Sequence, residues 1–190
     1  MSVKETFLDL ISYPTNSDPA TGVTPSTPGQ KVLGAHIVDL MKEMGIEDAY
    51  MSDTGYVYGT IPATAEGRKT VGFIAHMDTY GGVKGEDIKP QVIENYDGGD
   101  IKLGESGLTL SPAAFPSPKE QKGKTLITTD GTTLLGGDDK AGVAEILCAA
   151  KHFPGHGDTA VDTHVGFALM EKSREELRNL ELIPFRIAVE

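Results

Sequence analysis

Apolar residues recur at helical spacing in three segments of the chain. The first segment covers residues 3–12 and ends at Tyr13-Pro14, the second runs from Pro28 to about Gly45, and the third runs from about Asp138 to Phe153. Such spacing predicts three amphipathic helices with one apolar face each. In the first two segments that face consists of Val3, Phe7, Leu10 and Ile11, and of Val32, Leu33, Ile37, Leu40 and Met41.

Shorter apolar runs between and after these helices predict β-strands. Residues 56–61 alternate large and small side chains and end at Pro62, which is typical of a strand. Residues 70–75 (TVGFIA) are apolar without alternation, so they predict a strand that is buried on both faces. Further strands are predicted over residues 125–128, 132–135 and 165–169. A short helix is predicted over 173–180, and a last strand or an unfolded end over 183–189.

The order of these elements predicts one α/β domain with a central mixed sheet flanked by helices. Its length of 190 residues suits a single domain with a substantial core. Residues 82–124 interrupt the pattern, because they are rich in glycine, proline and charged residues and have only short apolar pieces. We expect them to form a β-rich insertion.

Composition narrows the classes of partner. The chain carries a formal net charge of −11, which repels phosphate backbones and anionic lipid head groups, so neither nucleic acid nor membrane is an expected partner. No apolar run approaches the roughly 20 residues that span a bilayer, and the N-terminus lacks the order of a signal peptide, so we expect a cytoplasmic protein. Cys148, the single cysteine, lies in an apolar run, which favours a buried helical thiol.

His76 and Asp78 directly follow the apolar run of residues 70–75. The carboxyl end of a strand is where open α/β sheets bind their ligands, and the single intervening residue puts both side chains on one side of an extended segment. An imidazole there can bind a metal while the carboxylate orients it. A histidine satisfied by a neighbouring backbone group remains the alternative, because this spacing also occurs by chance.

Asp138 and Asp139 stand where the glycines of LLGGDDKAG end and a helix begins. Helix capping explains one aspartate at such a position, since the positive end of the helix dipole favours a carboxylate. Two aspartates next to glycines also favour an ion site, and Lys140 could pair with either carboxylate. The sequence alone leaves these alternatives open.

Several longer motifs resemble the peptidase T family, within the wider group of co-catalytic metallopeptidases. They are GYVYGTIPA, GFIAHMDT, PQVIENYDGGDI, LSPAAFP and TLITTDGTTLLGGDDKAGVAEI, and the resemblance covers residues 1–151. It implies an incomplete zinc-peptidase-like catalytic domain, with the family's lid domain absent from this chain. Residues 152–190 form a divergent or truncated tail.

The resemblance also implies site roles and a cofactor. In the family two zinc ions share one aspartate, so His76 corresponds to a metal ligand, Asp78 to its orienting partner and Asp138 to the bridging carboxylate. The expected glutamate pair falls at residues 171–172. Glu171 therefore occupies the position of the general base, whereas Lys172 replaces a metal-binding glutamate and offers no acceptor while protonated.

Three functions follow from these observations. The first is a zinc-dependent aminopeptidase that releases the N-terminal residue of tripeptides, of which this chain is an inactive or impaired fragment. The second is a related zinc amidase or deacylase, which the peptidase T-specific motifs argue against. The third is a noncatalytic remnant or binding protein, which Lys172 and the early end of the sequence favour.

Overall fold

The computed structural model describes residues 2–63, 66–67 and 69–152. This part of the chain is a small mixed domain with three α-helices: α1 (Val3–Leu10), α2 (Pro28–Glu43) and α3 (Gly137–His152). It also has six short strands: β1 (Tyr50–Met51), β2 (Val57–Tyr58), β3 (Pro90–Ile93), β4 (Ile101–Lys102), β5 (Thr109–Leu110) and β6 (Leu126–Thr129). Single 3-10 turns occupy Pro19–Thr21 and Ser117–Gln121. This content is compatible with an α/β fold.

Local sequence signals explain where the first two helices begin. Ser2 and Glu5 form a capping box: the Glu5 amide donates to Ser2 Oγ at 3.3 Å, and the Ser2 amide donates to Glu5 Oε2 at 2.7 Å. Pro28 occupies the first position of α2, where its missing N–H costs nothing. Past the end of α2, Gly45 has a φ of +87°, a conformation that other residues adopt at a cost.

The three helices build one apolar core. Helix α1 packs on α3, and α2 packs on β1 and β2. Burial of these apolar faces is the main favourable contribution to the stability of the domain. The core residues are Phe7, Leu10 and Ile11 from the α1 region, Leu33, Ile37 and Leu40 from α2, and Val143, Ala144 and Leu147 from α3. The prediction of a buried helical thiol is confirmed, because Cys148 lies in α3 with 7% of its surface exposed.

The strands form three antiparallel pairs: β1 with β2, β3 with β6, and β4 with β5. In the longest pair, Pro90 lies opposite Thr129 and Ile93 opposite Leu126, so the insertion returns to the strand that precedes α3. The only parallel contact among the described residues is a single bridge between Asn16 and Thr79. A central mixed sheet layered between helices is therefore not found in this part of the chain.

The predicted central strand at residues 71–75 is wrong for the described structure. This segment has no strand assignment, and Val71, Phe73 and Ile74 are 47%, 51% and 95% exposed. A buried strand needs hydrogen-bonded neighbours on its edges and covers on its faces, and the described residues supply neither. Ala75, the last residue of this segment, and Met77 do pack against the helical core.

Two other strand predictions need correction. Residues 132–135 do not form a strand: 132–133 are bends and 134–135 are irregular, because Asp130 Oδ1 accepts hydrogen bonds from the amide and hydroxyl of Thr132 and so closes a tight turn. The run predicted at 56–61 is a strand only over Val57–Tyr58. The elements predicted at 165–169, 173–180 and 183–189 lie outside the described residues. No helix in the described part has the length and apolar character needed to cross a membrane.

Candidate functional site

The structure brings His76, Asp78 and Asp138 together on one surface. His76 Nε2 lies 3.0 Å from Asp138 Oδ1, although 62 positions separate the two residues in sequence. His76 Nδ1 lies 3.0 Å from the Asp78 carbonyl oxygen and 3.2 Å from Asp78 Oδ1. The side chains of His76, Asp78 and Asp138 are 54%, 45% and 94% exposed, so the cluster is open to solvent.

Both ring nitrogens of His76 face oxygen acceptors. Nδ1 faces the carbonyl and carboxylate oxygens of Asp78, and Nε2 faces the Asp138 carboxylate. A neutral ring carries one hydrogen and can donate to only one of these sides. The other nitrogen would then face an acceptor with its lone pair, which is tolerated only when a proton or a cation lies between them. The arrangement therefore suits either a protonated imidazole or a bound metal ion.

The pKa of His76 reflects this arrangement. Partial burial alone would lower the pKa, but the hydrogen bond to the Asp78 backbone and the contacts with the Asp138 and Asp78 carboxylates act in the opposite direction. The net effect is a pKa above the ordinary histidine value. His76 therefore stays protonated to a higher pH than an isolated histidine.

The two aspartates at the start of α3 have different surroundings. Asp139 Oδ1 accepts a hydrogen bond from the Gly142 amide at 3.2 Å, the interaction expected of a capping residue. Asp138 instead points to His76, and both residues have non-helical backbone angles although they lie within the span of α3. Asp139 thus makes the capping interaction, whereas Asp138 is in contact with His76.

Lys140 does not pair with either aspartate. Its side chain is 1% exposed, and Nζ donates to the Tyr13 carbonyl oxygen at 2.6 Å. Burial lowers the pKa of Lys140 to about 8. No local pattern in the sequence predicts that this lysine reaches Tyr13, just past the end of α1.

The donor types at the site fit zinc, whereas their number falls short of a full ligand set. Two ligands of a tetrahedral zinc, each about 2.0–2.1 Å from the metal, lie about 3.3 Å apart. The 3.0 Å separation of His76 Nε2 and Asp138 Oδ1 is close to that value. Within the described residues, however, no group of three or more His, Cys, Asp or Glu side chains is placed to hold a metal. Glu171 and Lys172 lie outside the described residues.

Comparison with family models gives one match, to the glycosyl hydrolase family 3 N terminal domain over residues 123–190. This match covers less than half of the chain and does not establish a family for it. It overlaps the described structure over residues 123–152, which include β6 and α3, and it contains both Glu171 and Lys172.

Comparison with curated proteins gives a longer and more consistent similarity. Peptidase T of Clostridium perfringens strain SM101 is 45% identical over 175 residues, which are 91% of this chain and 43% of that protein. Peptidase T of Clostridium novyi is 50% identical over 157 residues, or 82% of this chain and 39% of its own length. Peptidase T of Shewanella halifaxensis is 48% identical over 152 residues, or 80% and 37%.

The chain spans about two fifths of the length of these relatives. Over residues 123–152 the peptidase T motif LLGGDDKAG and the glycosyl hydrolase match compete for the same segment. The peptidase T similarity extends over far more of the chain and includes both halves of the site. The resemblance that the motifs predict is therefore confirmed, and this chain is a homologue of part of peptidase T.

Proposed function

We propose that this chain carries part of the site of a zinc-dependent aminopeptidase that releases the N-terminal residue of tripeptides in the cytoplasm. The observation that supports it is the approach of His76 Nε2 and Asp138 Oδ1 to 3.0 Å within a homologue of peptidase T. Because the relatives are more than twice as long, the activity of a whole peptidase T is a proposal for this chain.

His76 and Asp138 would hold the metal, and each residue has a distinct task. His76 would donate the Nε2 lone pair, and Asp78 would keep that lone pair available by holding the proton on Nδ1. Asp138 is free to share its two oxygens, because its side chain is 94% exposed. Bound zinc would supply a Lewis acid and an activated water for peptide hydrolysis.

Glu171 is proposed as the general base on the motif resemblance alone. It follows the apolar run of residues 165–169, as the family's base follows a strand, but it also lies in the segment that the glycosyl hydrolase model matches. Glu171→Gln tests whether this glutamate acts as the base. Loss of any residual turnover supports that role, and unchanged turnover means that Glu171 is not the base.

The experiment that tests the proposal measures zinc binding and substrate choice together. Zinc affinity, determined by competition with a chromophoric chelator, is expected to fall sharply in His76→Ala and Asp138→Asn, and to persist in Asp53→Asn, a matched change on the hairpin between β1 and β2. Long incubation with tripeptides and with acylated amino acids then separates an aminopeptidase from an amidase or deacylase. Zinc affinity that is unaffected by His76→Ala would refute the proposal.

The noncatalytic alternative keeps one supporting observation. The described residues offer two suitable metal donors rather than three or four, so a role without catalysis needs fewer assumptions about the rest of the chain. A chain that binds tripeptides without zinc, and with no turnover, would favour this alternative.

A further inference from the structure

We propose that residues 13–17, which connect α1 to the 3-10 turn at Pro19–Thr21, brace the two halves of the site, with Asn16 and Lys140 as positioning residues. The two halves are the segment of His76 and Asp78 and the start of α3 with Asp138. The inference deepens the proposed function, since it concerns the same site, but the contacts that carry it do not involve a metal.

The brace holds the His76 half through the backbone of Thr79. The Thr79 amide donates to the Thr15 carbonyl at 3.0 Å, and the Ser17 amide donates to the Thr79 carbonyl at 2.8 Å. These two bonds form the parallel bridge at Asn16 and Thr79. Thr15 and Thr79 are 0% and 4% exposed, so water competes little for these bonds. Asp78 is the next residue along the chain.

Asn16 also binds the loop that follows Thr79. Its Nδ2 donates to the Tyr80 carbonyl at 2.9 Å and to the Val83 carbonyl at 2.8 Å, which uses both hydrogens of the amide. The loop approaches so closely that a β-carbon on Gly85 would collide with Asn16 Oδ1, and one on Gly81 would collide with the Ser17 carbonyl. A carboxylate in place of the amide has no hydrogen to donate and would repel both carbonyls.

The same five residues hold the Asp138 half through Lys140. Lys140 Nζ donates to the Tyr13 carbonyl at 2.6 Å from a fully buried position two residues after Asp138. The halves also meet at Gly136, where an added β-carbon would lie 3.3 Å from Thr79 Cγ2 and 3.7 Å from Lys140 Cδ. Residues 13–17 thus hold both segments that form the 3.0 Å contact between His76 and Asp138.

This support is needed because the residues before His76 do little to hold it in position. Residues 71–74 are exposed and have no strand pairing among the described residues, so nothing there fixes the height or rotation of His76. The position of His76 is set instead by the residues that follow it in the chain, through the hydrogen bonds to Thr79, Tyr80 and Val83. Displacement by about 1 Å is enough to spoil a catalytic or metal geometry.

The test compares Asn16→Asp with Asn95→Asp, which makes the same change of amide to carboxylate in the turn after β3. With the metal, Asn16→Asp is expected to weaken zinc binding by about 10- to 100-fold, the range found for residues that orient ligands, and to alter the visible spectrum of bound cobalt(II). Asn95→Asp adds the same negative charge and should change neither. Equal zinc affinities and spectra for the two variants would overturn the brace.

A measurement without metal separates failure of the brace from failure of the proposed function. Asp138→Asn is introduced into three backgrounds: the wild-type chain, Asn95→Asp and Asn16→Asp. In the wild-type chain this change should shift the ¹⁵N resonance of His76 Nε2 at fixed pH, because the two groups are in contact. The same shift is expected in the Asn95→Asp background and no shift in the Asn16→Asp background; a shift in the Asn16→Asp background refutes the brace even if zinc never binds. Should Asn16→Asp fail to fold, Lys140→Met replaces it, with the same outcomes.

Discussion

The imidazole of His76 links the pH of the solution to metal binding. Zinc requires the neutral ring, whereas Asp138 and Asp78 raise the pKa of His76 by stabilising the protonated one. We therefore expect zinc affinity to fall as the pH drops through this raised pKa, at a higher pH than for an ordinary histidine ligand.

Titrations of zinc affinity at several pH values, for the wild-type chain and for Asp78→Asn, check this expectation. Removal of the Asp78 charge should move the midpoint toward lower pH. It should also weaken binding by about 10- to 100-fold at high pH, because the ring loses its orienting partner. A midpoint that stays in place would show that Asp78 does not act on His76.

Lys140 gives a second titration, in which the pKa is lowered rather than raised. Its pKa falls from 10.5 to about 8 on folding, because burial disfavours the charged form. Between these two values the unfolded chain binds more protons than the folded one, so the free energy of unfolding should rise with pH across this window. For one such group the rise is on the order of 3 kcal/mol.

Urea unfolding at pH 7 to 10, in the wild-type chain and in Lys140→Met, isolates this effect from the other lysines. The methionine variant should lack the rise while keeping the length and apolar stem of the side chain. Parallel pH profiles for the two proteins would contradict the assignment of the shift to Lys140.

At the residue scale, the sequence singled out the candidate site residues but not the residues that position them. His76, Asp78 and Asp138 stand out because they follow an apolar run or a pair of glycines and lie in the motifs that resemble peptidase T, and the structure brings them into contact. Asn16 and Lys140 act through contacts that span 64 or more positions, and no local pattern predicts such partners. The roles of the three site residues stay predictions.

Among the elements, helices were predicted better than strands. An α-helix satisfies its own backbone hydrogen bonds, so the apolar period and the caps of a segment suffice, and α1, α2 and α3 begin and end within a few residues of their predicted bounds. A strand needs a partner from elsewhere in the chain. Residues 71–75 have the composition of a buried strand, but no other described residues pair with them, and the segment itself does not show whether a partner strand exists.

Two glycines of α2 allow a test of how closely this helix packs against its neighbours. A β-carbon on Gly29 would collide with the Pro14 carbonyl, which is backbone, whereas one on Gly34 would meet the flexible side chain of Met51. Alanine normally stabilises a helix relative to glycine by roughly 0.5–1 kcal/mol. We expect Gly29→Ala to lose about 1–3 kcal/mol of unfolding free energy through steric overlap, and Gly34→Ala to be nearly neutral.

Urea denaturation of both variants measures the difference directly. Because Pro14 belongs to residues 13–17, the loss in Gly29→Ala should be accompanied by faster amide exchange at Thr79. A stabilised Gly29→Ala would mean that α2 does not approach the brace as described.

For the whole molecule, the exposed apolar segment before the site has consequences in solution. Val71, Phe73 and Ile74 present apolar surface in a segment that has no strand pairing in the described part, and exposed apolar patches favour association. Ile74→Asp should therefore reduce concentration-dependent self-association in sedimentation velocity. Its unfolding free energy should change by no more than about 0.5 kcal/mol, because Ile74 is 95% exposed.

Val23→Asp is the matched control, since Val23 is 64% exposed in a loop. The same added charge there should leave self-association unchanged. An equal reduction in both variants would show that net charge, rather than the segment at residues 71–74, governs association.

The last prediction is that this chain alone turns over tripeptides far more slowly than typical enzymes, which work at about 1 to 1,000 per second. His76 and Asp138 are two donors, and zinc held by two protein ligands has no defined geometry. A base such as Glu171 contributes little unless the water it deprotonates is precisely placed. Lys172 would add positive charge near the expected position of a dication, which repels it at short range.

The measurement is a zinc-supplemented assay of the purified 190-residue chain on several tripeptides, with a chelated sample and His76→Ala as controls. Residual turnover that depends on zinc and on His76 would agree with an impaired peptidase site. Turnover within the typical range, abolished by chelation and by His76→Ala, would contradict the prediction. It would mean that residues outside the described structure complete the ligand set, since the described residues offer no third donor beside His76 and Asp138.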